Sequence, residues 1–334
     1  MTEFSIGFDT SNYTTSCAVF DGETGENRGR LLDVPEGALG MRQSEALFSH
    51  IRRMPEIFAG LPLNGGKVIA VGASAAPRET ESSYMPCFLA GASHGAVLAR
   101  GLGAPFFEFS HQQGHVAAAA WSADRMDILD KPMLCWHLSG GTTELLLVKP
   151  AEGSVTCKIL GGTSDISAGQ LIDRAGNLLG MKFPSGAELD RLASGTESGG
   201  QYVPKLDGYR FSLSGVEHKM KAMVSAGKPP GEIAYFTFWA VTSAVMAVTD
   251  TARKEYGGVP VLYTGGVASS GFLRRAVPDG LFAEPKYSAD NAMGIAILTY
   301  RGLHYAKTAG QAPVRAGVSI PAARNRETGD DANG

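Results

Sequence analysis

"PMLCWHLSGGTTELLLVKP", residues 132–150, holds an apolar run, a glycine turn and a second apolar run. That pattern reads as a strand, a tight turn and a return strand. "FSIGFDTSNYTTSCAVFD", residues 4–21, reads the same way. The turn "FDTSNYTTS" (8–16) thus answers "LSGGTTE" (138–144), and a third turn, "TGGVASSG" (264–271), leads from a strand into a helix. Backbone N–H groups in such turns, together with helix N-termini, suit the phosphates of a nucleotide.

Outward from these turns, each half of the chain reads as three strands, a helix and two strand–helix steps. In the first half, "GRLLDV" is a third strand and "SEALFSHIRRMPEIFAG" a helix capped by Ser44. "KVIAVGASA", "PCFLAGASHGAVLARGLG", "APFFEFS" and "HQQGHVAAAAW" follow as strand, helix, strand and helix, the last capped by Ser110. In the second half "SVTCKILGG" is the third strand and "AGQLIDRAGNLLG" the helix. The long apolar helix within 231–258 precedes "VPVLYTGG" (strand), "SGFLRRAV" (helix), "EPKYSA" (strand) and a closing helix over 290–307. Two such units facing a cleft predict an α/β, duplicated actin/Hsp70-like (ASKHA, ribonuclease-H-like) two-domain fold. The expected halves are 1–130 and 131–310, with a helical insertion at about 164–230 and a polar, partly disordered tail over 311–334.

His111 and His115 stand four apart in "HQQGH", which places both imidazoles on one helix face. The equivalent place in the second half is "DNAMG", beginning at Asp290. The repeat therefore predicts that His111, His115 and Asp290 face one another. Two imidazoles and a carboxylate suit one divalent transition metal and leave coordination positions open. Zinc proteases need Glu directly after the first His, and Gln112 cannot serve as that base. His137, just before "LSGG", stands as a fourth candidate ligand.

Composition narrows the function classes. The 334 residues are 44% hydrophobic and 19% charged, with net charge −3. That describes a globular protein without a strongly basic nucleic-acid footprint. The four scattered cysteines read as reduced thiols, and neither a signal peptide nor a membrane span is expected, so a cytoplasmic setting is predicted.

Together the motifs resemble the TsaD/Gcp/Kae family of tRNA N6-threonylcarbamoyladenosine transferases, over about residues 4–308. "SHQQGH" is similar to that family's HxEGH, and "HLSGGTTEL" to its VSGGHTQL. "AGQLIDRAGNLLG" with "FPSGAELDRLA" is similar to AGEAFDKVAKLLG with YPGGPAIDRLA. "FSLSGVEHKM", "YTGGVASSGFLR" and "YSADNAMGIA" resemble FSFSGLKTAV, VAGGVAANRRLR and CTDNAAMIA. The resemblance implies metal-dependent transfer of threonylcarbamoyl from threonylcarbamoyl-AMP to N6 of adenosine 37 in tRNA. It implies iron or zinc on His111, His115 and Asp290, and an adenine nucleotide (threonylcarbamoyl-AMP, ATP or AMP) in the cleft. His137 and Leu138, Ser139, Gly140 and Gly141 would meet the phosphate side, with Gly265, Gly266 and Ser270 on the third turn. Asp173, Gly186 and Asp190 would bind the ribose or adenine, and Asp9 and Ser11 would serve the chemistry. Implied partners are tRNA, reached through TsaB-like or TsaE-like proteins or a homodimer.

The chain also departs from the family. Asp9 stands in place of the Glu of IETSCDET, and Tyr13 and Thr14 replace its acidic pair. "AAPRETESSYMP" replaces a PGPG stretch, Ser270 an Asn, and Thr142 and Glu144 the His and Gln of HTQL. These changes cluster at the substrate cleft. They fit a divergent paralogue with another acceptor, or a non-catalytic nucleotide-binding protein. A sugar or acetate kinase of the same architecture is the other rival, and such kinases do not need the His–His–Asp set.

Overall fold

The computed structural model describes all residues except 12, 34–40, 64, 81–82, 199 and 311–334. The expected tail over 311–334 lies outside the described residues. Apolar strands alternating with amphipathic helices give the first half β1 (Glu3–Asp9), β2 (Thr14–Phe20), β3 (Gly25–Leu31), α1 (Gln43–Ala59), β4 (Lys67–Ala76), α2 (Phe88–Leu102), β5 (Phe106–Ser110) and α3 (His111–Ser122). The second half opens with β6 (Met133–Leu138), β7 (Thr143–Ala151), β8 (Ser154–Thr163) and α4 (Ala168–Leu178). Then come α5 (Gly186–Ser194), the short β9 (Leu206–Asp207) and β10 (Arg210–Phe211), α6 (Ser214–Ser225) and α7 (Pro230–Tyr256). It closes with β11 (Val261–Thr264), α8 (Gly271–Ala276), β12 (Leu281–Phe282), α9 (Pro285–Ser288) and α10 (Met293–Thr308).

The repeat is visible in the sheets. The first has order β3-β2-β1-β4-β5, and the second runs β12-β11-β6-β7-β8 before adding β10 and β9. In each, the first three strands of the half are antiparallel and the fourth and fifth run parallel to the first. The duplicated actin-like architecture expected from the turns is therefore the observed one.

The helices after the fifth strands, α3 and α10, cross each other between the sheets. α10 packs across β1, β2 and β4 of the first sheet. Glycines in mid-strand allow this approach: a Cβ on Gly7 would lie 2.4 Å from the Ala296 nitrogen, and one on Gly72 2.0 Å from Thr299 Oγ1. Val116–Ala120 of α3 share a core with Met133, Cys135, Leu146 and Val148 of the second sheet, and with Ile295 and Ile297 of α10. A second core joins β6 and β7 to α4–α7. The apolar α7 is long enough by length and composition to cross a membrane, but it packs against α4, α5 and α6, with 61% of its most apolar window buried.

Two local expectations fail. "EPKYSA" is not a strand: residues 285–288 form one helical turn with Pro285 at its start, and the strand is the two-residue β12 just before it. Proline's fixed φ suits a first helical position and removes a ladder donor. Helix α1 begins at Gln43, one residue ahead of Ser44; Arg42 holds the cap position and gives no side-chain cap.

Candidate metal centre and nucleotide cleft

Helix α3 starts at the last residue of β5 with no linker, so its first turn is aimed by the sheet. Ser110 Oγ accepts from the Gln113 N–H at 3.2 Å, and the Gln113 side chain accepts from the Ser110 N–H at 2.6 Å. This reciprocal cap fixes the turn that carries His111. The Pro77 carbonyl accepts from the Gln112 N–H at 3.1 Å, tying the loop after β4 to the same turn. Asp290 lies between α9 and α10. Asn291 stitches that corner, donating to the Ala289 carbonyl at 2.7 Å and accepting from the Met293 N–H at 3.0 Å.

These elements bring the expected donors together. Ligand atoms of His111, His115 and Asp290 lie within 4.8 Å of one another. Asp290 Oδ1 is 3.4 Å from His111 Nε2 and 3.3 Å from His115 Nε2. Two ligand atoms on one tetrahedral ion, each about 2.1 Å from it, stand roughly 3.4 Å apart. Both ring nitrogens of His115 are buried without a hydrogen bond of acceptable geometry. A buried polar atom left this way is costly in an apolar setting and fits a metal ligand. The three residues thus fit a divalent ion. His137 lies beside them, its ring centroid 4.9 Å from that of His115, but it is not one of the three clustered donors.

Asp9 stands behind His111 rather than in the open cleft. Its carboxylate is fully buried; Oδ2 is 2.7 Å from His111 Nδ1, and Oδ1 accepts from the Ser11 N–H at 2.9 Å. A proton on Nδ1, donated to Asp9, leaves Nε2 free to ligate. Burial opposes a charged His111, but Asp9 and Asp290 outweigh it and push its pKa up to about 10. The same pairing holds Asp9 and Asp290 below the usual carboxylate range despite their burial. Burial, with His115 and His111 nearby, pushes His137 down to about 3, so that ring is neutral. Ser11 Oγ is buried without a partner among the described residues.

The second and third glycine turns lie against each other. In the turn from Ser139 to Thr142, the Ser139 N–H donates to the Thr142 carbonyl at 2.8 Å and Ser139 Oγ accepts from the Thr142 N–H at 3.0 Å. A Cβ on Gly140 or Gly141 would meet nothing within 4 Å, so both present open backbone. Gly265 has φ +96°, and a Cβ there would lie 2.3 Å from the Leu138 carbonyl, which presses the third turn onto the second.

The expected nucleoside residues have protein partners. Asp173 accepts from the Ser185 N–H and hydroxyl at 3.0 and 3.2 Å, fixing the start of α5 next to Gly186. Asp190 accepts from Ser270 Oγ and from the N–H groups of Gly271 and Phe272 at 2.7, 2.9 and 3.1 Å. It therefore caps α8 from the neighbouring α5.

Sequence reasoning assigned no role to Arg78. Its guanidinium meets Glu144 Oε1 at 2.6 Å, joining the loop after β4 to β7. The next residue, Glu79, accepts from Gln113 Nε2 at 3.1 Å and from the Cys157 N–H at 2.8 Å. An arginine in a stretch that departs from the family pattern, together with an acid at another departure, was the available signal.

The family profile for the tRNA N6-adenosine threonylcarbamoyltransferase TsaD matches residues 84–297, more than half of the chain. A Thermus thermophilus protein named tRNA N6-adenosine threonylcarbamoyltransferase is 33% identical over 220 residues, covering 64% of this chain and 66% of that one. The aligned stretch is thus just under two-thirds of that relative's length. A Thermosipho africanus protein of the same name is 27% identical over 324 residues, covering 89% of this chain and 93% of that one. Among solved structures, full-length HypF in a phosphate- and nucleotide-bound form has TM-score 0.59 at 13% identity, over 90% of this chain and 46% of HypF. A ROK hexokinase from Thermus thermophilus has TM-score 0.51 at 13% identity, over 90% and 99%. These two likenesses are of fold.

Proposed function

The chain belongs to the TsaD family of tRNA N6-adenosine threonylcarbamoyltransferases, and from that premise we propose that it transfers threonylcarbamoyl from threonylcarbamoyl-AMP to N6 of adenosine 37 in tRNA. The observation that carries this reading is the convergence of His111, His115 and Asp290, with His137, just ahead of the open Ser139–Thr142 turn, against His115. The three side chains would hold one divalent transition metal, iron or zinc. Such an ion, when bound, polarises a carbonyl oxygen as a Lewis acid. The turn's backbone would hold the adenylate phosphate. Asp9 would keep the His111 ring oriented. In the transfer, N6 forms a bond to the carbamoyl carbon, the bond from that carbon to the phosphate oxygen breaks, AMP leaves with the electron pair, and N6 loses a proton. Orientation in the cleft supplies much of the rate. With net charge −3, tRNA would be reached with the help of partner proteins of TsaB-like or TsaE-like kind, or by a homodimer.

One observation favours a second reading, a diverged member with another acceptor. Asp9 is committed to His111, and Tyr13 and Thr14 bring no carboxylate to the first turn. A general base is worth about two to four orders of magnitude in rate.

The deciding experiment incubates the protein with ATP, threonine, bicarbonate, a threonylcarbamoyl-AMP synthase and unmodified tRNA, and analyses nucleosides by mass spectrometry. Modification of adenosine 37 supports the first reading. Unmodified tRNA alongside tight binding of the donor shifts the reading to the diverged one.

A further inference from the structure

We propose that Arg78 reads a carboxylate on the transferred acyl group, so that the cleft selects donors whose acyl part is an amino acid. This rests on the transferase reading and names the substrate feature that the same site recognises.

Arg78 is built into the site. Its N–H donates to Ser83 Oγ at 3.1 Å, and the preceding Pro77 carbonyl accepts from Gln112 on the turn that carries His111. Its side chain crosses to Glu144, which is the cross-strand partner of His137. The His137 ring in turn lies 4.9 Å from that of His115, tilted by 42°. The guanidinium is therefore held at the strand pair that carries His137. Arg78 commits only one terminal nitrogen to Glu144; its other side-chain N–H groups have no partner among the described residues, and the side chain is 42% exposed. Glu144 is 22% exposed, and its second oxygen is buried without a partner among the described residues. A planar fork held at one corner, with its remaining donors open among the described residues, suits a carboxylate. On the reading proposed above, the phosphate would take the Ser139–Thr142 turn. A group spanning that turn and the three clustered donors would bring an acyl carboxylate toward Arg78. The threonyl part of threonylcarbamoyl carries such a carboxylate.

The competing account is that Arg78 and Glu144 only clasp two parts of the cleft. The test measures dissociation constants for threonylcarbamoyl-AMP, for an N-alkylcarbamoyl-AMP lacking the carboxylate, and for AMP, on wild type, Arg78→Gln and Glu144→Gln. Wild type should prefer the carboxylate-bearing donor by about ten- to a hundredfold, the range of a charged hydrogen bond. Arg78→Gln should lose that preference with AMP affinity unchanged. Glu144→Gln, whose amide oxygen still accepts from Arg78, should keep it. The proposal is overturned if Arg78→Gln keeps the preference, if it weakens AMP instead, or if Glu144→Gln loses the preference equally. Absence of AMP binding by folded wild type would count against the nucleotide reading itself, which is a separate failure. Circular dichroism on each variant confirms folding.

Discussion

Gly294 meets Gly114 where α10 crosses α3: a Cβ on Gly294 would lie 1.8 Å from the Gly114 carbonyl oxygen. The contact sets how close Asp290, just ahead of α10, comes to the histidines of α3. Gly294→Ala should force the helices apart, at a cost of about 2–3 kcal/mol. Chemical denaturation and elemental analysis should show lower stability and reduced metal content together. Unchanged metal content in a destabilised but folded variant would separate the crossing from the site.

Asp9→Asn should leave the fold intact and weaken metal retention. A carboxylate behind a ligating histidine is typically worth about ten- to a hundredfold in metal affinity. Chelator competition measures this directly. Equal affinity in wild type and variant would mean that the 2.7 Å contact with His111 does not orient the ligand.

Asp190→Ala should cost about 1 kcal/mol, because it leaves the first two N–H groups of α8 without their acceptor while the Ser270 cap remains. The nucleoside role is a separate quantity. If the Asp190 carboxylate also holds the ribose, AMP affinity measured on folded protein should fall as well. A drop in stability with AMP affinity intact assigns Asp190 to the cap alone.

A pH dependence follows from Asp165. Partial burial opposes its charge, but hydrogen bonds from Ser212 Oγ and from the Leu213 and Ser214 N–H groups outweigh it and hold its carboxyl well below the usual range. A depressed folded pKa means that the unfolded chain takes up the proton first. The stabilisation is therefore present above about pH 4 and fades as pH falls further. Because Asp165 is exposed, the effect should stay below about 1 kcal/mol. Comparing wild type with Asp165→Asn from pH 6 to pH 2, the gap in stability should narrow on the acid side. A gap constant across that range would exclude the linkage.

The repeat was legible because it is written in local signals. Apolar runs, glycine turns and the Ser110 cap are each set within a few residues, and they predicted the matching succession of strands and helices and the meeting of His111, His115 and Asp290. The details that escaped were of two kinds. Some were too short to carry a period: β12 has two residues, so the neighbouring "EPKYSA" drew the strand reading that Pro285 contradicts. Others depend on chain closure. Asp9 and His111 are 102 residues apart, and Arg78 and Glu144 are 66 apart. No local pattern foretells that Asp9 turns away from the cleft to serve a histidine.

The interlocking of α10 with the first sheet has a consequence for biosynthesis. A ribosome makes β1, β2 and β4 long before α10, the helix that covers them. The first sheet must wait, with the glycine-lined face of β1 and β4 uncovered, until α10 has emerged. Domain-by-domain folding during synthesis, the usual course for large chains, is closed to this half. Asp290 arrives in the same late segment, so the nascent chain presents the two histidines first and completes the donor set only when both sheets are in place.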